Sequence, residues 1–192
     1  MVRLVIATAL VLLLIGPMGM ADDRAGQPKV GMVRLRIDGL RTADDAKRVM
    51  DALVKVPNIK VATRPTVDQP VALVGSLRGA TWDVGDLARV VAQTKTSSRA
   101  GGNPSATLLL TYKPDPRSAP GEGRAKDDRS VQTETALKQA LESRRGKLRG
   151  VEANKCTVDT KKHELQIKLA DKGGAELAEI KAALSAWTLE ED

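Results

Sequence analysis

The spacing of apolar residues changes at Gly39. Before it, Val33, Leu35 and Ile37 alternate with Arg34, Arg36 and Asp38, the period of a strand with one buried face. Beyond it, Ala46, Val49, Met50, Leu53 and Val54 recur at helical spacing and predict one apolar helix face. A strand followed at once by an amphipathic helix favours folds in which helices are layered on a sheet.

The remaining chain extends this pattern. Pro57-Asn58 breaks the helix, residues 59–63 read as a weak strand, and the segment from Pro65 to Pro70 reads as a turn. Residues 71–77 are apolar enough for a buried strand. Asp83 can cap a second helix with Val84, Leu87, Ala88 and Val91 on one face. A stretch at 96–105, rich in Ser, Gly, Asn and Pro, reads as a linker. A similar order then follows: a strand at 106–112, a helix at 131–143 with Leu137, Ala140 and Leu141 inward, a hairpin from 151–158 and 164–169, and a last helix carrying Leu177, Ile180, Leu184 and Trp187. Two similar small domains are expected, at 31–95 and 106–189, the second with a flexible insertion at 114–130. The strand at 106–112 has a second possible place, closing the first sheet as its fourth strand.

Composition narrows the cores and the chemistry. Trp82, Trp187 and Tyr112 are the aromatic residues among 192, so Val, Leu, Ile and Ala must fill the interior. The one cysteine, Cys156, cannot form a disulfide within the chain. Arg3, a largely apolar run at 4–15 and Gly19-Met20-Ala21 predict a signal peptide at 1–21 cleaved after Ala21, then a flexible N-terminus at 22–30. The rival reading is a retained anchor, although a spanning helix needs about 20 apolar residues. A secreted or periplasmic protein with no stable membrane span after cleavage is expected. The net charge of +7 is densest at Arg144, Arg145, Lys147 and Arg149. These follow a predicted helix, whose C-terminal dipole they suit, and so few aromatic platforms argue against nucleic acid.

The βαββαβ order, with helices on one face of an antiparallel sheet, is the ferredoxin-like arrangement within the α+β class. Ile37-Asp38-Gly39-Leu40-Arg41-Thr42-Ala43-Asp44-Asp45-Ala46-Lys47-Arg48-Val49 resembles the heavy-metal-associated domain, whose first strand ends in Gly-Met-Thr-Cys-x-x-Cys and leads into a helix. Val56-Pro57-Asn58-Ile59 is similar to its Leu-Pro-Gly-Val turn, Cys156-Thr157-Val158-Asp159 to its second strand, and residues 175–184 to its second helix. The resemblance implies two tandem ferredoxin-like repeats. It also places the two metal-binding cysteines on Thr42 and Asp45, where hydroxyl and carboxylate are poor ligands for a soft ion such as Cu(I).

Thr42 and Asp45 are spaced instead as a capping box with Asp in place of Glu or Gln. Oxygen ligation by Asp38, Asp44 and Asp45 is the alternative, but Ca²⁺ takes 6 to 8 oxygens and no EF-hand spacing is present. Cys156 and His163 could share one sheet face as a two-ligand site; the competing reading makes Cys156 core and His163 the edge of that core. One histidine, one cysteine, and the lack of a Gly-x-Ser-x-Gly elbow or a phosphate-binding glycine motif argue against an enzyme. The expectation is an exported, non-catalytic heavy-metal-associated-like protein without a cofactor. It would serve as an interaction or structural module with an envelope protein partner. The alternative is metal-ion binding or trafficking through oxygen ligands or Cys156.

Overall fold

The structure, a computed structural model, describes residues 32–77, 82–96, 103–113 and 126–190. The expected signal peptide, the flexible N-terminus, most of the linker and residues 114–125 of the insertion lie outside these. The chain is mixed α+β: strands β1 (Met32–Asp38), β2 (Ile59–Thr63), β3 (Val71–Ser76), β4 (Ser105–Thr111), β5 (Thr157–Asp159) and β6 (Glu164–Lys168), with helices α1 (Ala43–Leu53), α2 (Val84–Gln93), α3 (Lys126–Glu142) and α4 (Leu177–Ala183). Lys126 to Ser130 are therefore helical, within the stretch read from sequence as a flexible insertion.

All six strands join one antiparallel sheet in the order β2-β3-β1-β4-β6-β5. The joint lies at β4, which pairs with β1 on one side and β6 on the other. Leu35 stands opposite Leu108 at the middle of the β1–β4 seam. Two hairpin-bearing halves are thus continuous through a single pair of strands. Beyond the seam a stub of chain lies beside the end of β4: Tyr112 bridges Leu189, the Lys113 N–H donates to the Thr188 carbonyl (2.8 Å) and the Glu190 N–H to that of Thr111 (2.9 Å). The stub occupies the same side of β4 as β1.

One face of the sheet makes the core. Val33, Leu35 and Ile37 of β1, Ala72 and Val74 of β3, Ala106, Leu108 and Leu110 of β4, and Leu165 and Ile167 of β6 are buried there, at every second position of their strands. The helices close over them with Val49 and Leu53, Val84, Leu87 and Val91, Leu137 and Leu141, and Ile180 and Leu184. Buried positions in the β3–α2 and β6–α4 segments correspond at a constant offset: Ala72 with Leu165, Val74 with Ile167, Val84 with Leu177, Leu87 with Ile180, and Val91 with Leu184.

The face of α1 is narrower than its periodicity suggested. Ala46, Val49 and Leu53 are buried, but Met50 is only half-buried and Val54 is 57% exposed. Three positions suffice to cover this part of the sheet, and the outer two are left at the surface.

Candidate functional site

The positions matching the family's cysteines sit where β1 gives way to α1. Gly39 turns the chain there with φ of 96°, a conformation that favours glycine. Its missing side chain also lets the Pro104 backbone approach, since a Cβ would stand 3.3 Å from the Pro104 Cα. Thr42 is extended and caps α1: its Oγ1 accepts the Asp45 N–H at 3.1 Å, while Asp45 Oδ2 accepts the Thr42 N–H at 3.2 Å. The Arg41 N–H also points at that carboxylate oxygen, at 3.4 Å. This reciprocal pairing is a capping box, and Asp45 is fully buried within it. We expect Thr42→Ala to cost about 1 kcal/mol and Asp45→Ala about 2 kcal/mol, because the second leaves more backbone donors without an acceptor. Urea midpoints check this; neither loss should depend on added metal.

The other oxygen candidates are dispersed. Asp38 lies on the opposite face of the sheet, within 3.1 Å of both Arg36 Nε and Lys168 Nζ. Asp44 is exposed in the first turn of α1, where its charge favours the positive end of the helix dipole. Among the described residues, no cluster of three or more His, Cys, Asp or Glu could hold a metal ion.

Cys156 and His163 are not brought together. Cys156 is fully buried, its thiol directed at the Glu152 carbonyl (Sγ–O 3.4 Å), just before β5. His163 is at the other end of the β5–β6 hairpin. The register sets Asp159 opposite Glu164, so Cys156 falls about four residues, or roughly 13 Å, from the His163 end. His163 is exposed, in a left-handed turn with φ of 51°. Its ring meets that of Tyr112 edge-on at 5.7 Å, and Tyr112 meets Trp187 likewise at 5.2 Å. These rings lie at the end of the sheet where residues 188–190 run beside β4.

Burial pushes the Cys156 thiol up to about 11, despite opposing help from the Lys168 backbone and the Lys138 charge. At pH 8 the folded protein should therefore leave a thiol reagent almost untouched, with reaction only at the rate of unfolding. The unfolded thiol ionises near 8.5. Its contribution to stability is complete below that value and is lost as pH rises through the folded value of about 11.

The helix-free sheet face is charged and internally paired. Arg34 reaches Glu164 (3.3 Å) and the Thr111 hydroxyl; Arg36 donates to Gln166 (3.1 Å); Lys168 donates to Ser105 (2.7 Å) as well as Asp38. Leu109 and Thr107 are buried on this side, Leu109 lying between Arg34 and Gln166 in the register. The basic segment after α3 is partly neutralised too, since Glu179 takes both Arg144 (3.1 Å) and Lys147 (3.0 Å). Hydrogen bonds from Lys147 and Arg144 hold the Glu179 carboxyl below its ordinary range.

The cap of α2 has a second role that its spacing alone does not show. Asp83 caps α2 by accepting the Gly85 N–H at 2.7 Å, and its carboxylate also accepts the N–H groups of Gly174 (2.7 Å) and Ala175 (2.8 Å) in the β6–α4 loop. The cap of a first-half helix thereby holds the corresponding turn of the second half. The Gly173-Gly174 dipeptide was its available signal, because both residues have positive φ.

Compared with protein-family models, with curated proteins and with solved structures, the chain matches none.

Proposed function

We propose that this chain is an exported, non-catalytic binding scaffold, built from two degenerate heavy-metal-associated-like units whose metal loop has become a helix cap. The observation that carries this reading is the capping box: the oxygens at Thr42 and Asp45, the positions aligned with the family's cysteines, accept backbone N–H groups at the start of α1. The strand order also supports it. β2-β3-β1-β4 is the order of a ferredoxin-like βαββαβ sheet, and β5-β6-β4-β1 repeats it with β1 standing in the fourth place. The constant offset between β3–α2 and β6–α4 favours duplication, and the family kinship rests on the quoted residues and this topology.

A scaffold without its own chemistry acts by binding, here to another protein of the cell envelope. The test has two arms. Purified protein, exposed to Cu(I), Zn²⁺ and Ca²⁺ and then desalted, should hold no stoichiometric metal by elemental analysis and show no metal-dependent thermal shift. Cross-linking in envelope extract should give one saturable adduct with a defined protein. Stoichiometric metal abolished by Asp45→Ala would replace this reading with metal binding, and absence of a specific adduct would remove the scaffold role.

A further inference from the structure

Resting on that scaffold reading, we infer that the outer side of α1 docks an acidic amphipathic segment of the partner protein. Met50 and Val54 lie one helical turn apart, and neither joins the hydrophobic residues packed on the core. They line a groove of about 520 Å³ with Lys47, Asp51, Lys55 and Arg64. Lys47, Lys55 and Arg64 make no salt bridge among the described residues, whereas Arg34, Arg36 and Lys168 on the sheet face all do. Unneutralised positive charge thus surrounds exposed apolar surface at α1.

The chemistry selects among occupants. An apolar side chain can sit on Met50 and Val54 while flanking carboxylates meet the three cations, the pattern of an amphipathic helix laid in a groove. A second copy of this surface would face cations with cations. A flat anionic bilayer fits a concave site poorly. Nucleic acid finds no aromatic ring in the groove on which to stack a base.

The experiment uses fluorescence anisotropy on the full chain with a labelled helical peptide in which two leucines are flanked by glutamates. Saturable binding should weaken about tenfold or more between about 20 mM and 200 mM salt. Val54→Asp and Lys55→Glu, both at the surface, should each weaken it about fivefold or more, as should serine in place of the peptide leucines. Lys161→Glu, in the β5–β6 turn, should leave it unchanged. Circular dichroism and unchanged melting temperatures establish that the variants are folded. Equal binding by wild type and Val54→Asp, or an equal loss in Lys161→Glu, overturns the assignment. So does binding to phosphatidylglycerol vesicles that is lost in Lys55→Glu while peptide binding survives. If Lys55→Glu cross-links the envelope partner as well as wild type does, this site fails and the scaffold reading stands.

Discussion

Leu108→Ala should lower the unfolding free energy by about 4 kcal/mol, measured by urea denaturation. Leu108 is fully buried in β4, opposite Leu35 and between the two hairpin-bearing halves. Removing the isopropyl group beyond its Cβ opens a cavity in a sheet whose neighbours are held in register on both sides, so little relaxation can fill it. The loss should appear in both halves at once. Trp82 precedes α2 and Trp187 follows α4, so versions of the protein retaining one tryptophan each report on opposite halves. Their transitions should coincide in wild type and shift together in Leu108→Ala. Separate midpoints would show that the halves unfold independently and that the common strand does not couple them.

The second large effect is expected at the clasp. Asp83→Ala removes the acceptor of three backbone N–H groups, from Gly85, Gly174 and Ala175. Charge-assisted bonds are stronger than neutral ones, but Asp83 and Gly174 are partly open to water, so we expect about 3 kcal/mol rather than the full sum. Gly150→Ala should cost a similar amount, about 3 kcal/mol, for a steric reason. Its added Cβ would stand 2.5 Å from the Gly173 carbonyl oxygen and 3.0 Å from the Ala175 Cβ. The backbone on one side must move, and the Gly150 N–H to Gly174 carbonyl bond (3.1 Å) moves with it. Asp83→Asn should retain part of the clasp and fall between Ala and wild type. Equal midpoints for Asp83→Ala and wild type would show that the three bonds contribute nothing net.

Much of the architecture was legible because it rests on local pattern. Alternation at Val33, Leu35 and Ile37 marks β1, Asp83 announces α2, and the segment from Pro65 to Pro70 marks the turn between β2 and β3. The box at Thr42 and Asp45 was readable because a cap needs only short-range chemistry at fixed spacing. Sheet membership was not local: residues 106–112 are apolar enough for either reading, and pairing with both β1 and β6 depends on contacts far apart in the chain. The clasp had the same difficulty, since Asp83 looks like any helix cap until the Gly173-Gly174 turn arrives beside it. Met50 and Val54 share the apolar spacing of α1 without being buried, because periodicity gives the direction of a helix face and says little about its breadth.

The central seam also governs the order in which the molecule can assemble. Each hairpin closes over a few residues, but β1 must wait for β4, across the chain length that contains α1, β2, β3 and α2. Non-local pairing of this kind forms slowly, and until it forms β1 and β4 have open edges. Those edges complement each other between chains as well as within one. A concentrated refolding solution therefore offers a second route, in which β1 of one molecule closes on β4 of another and the two exchange halves.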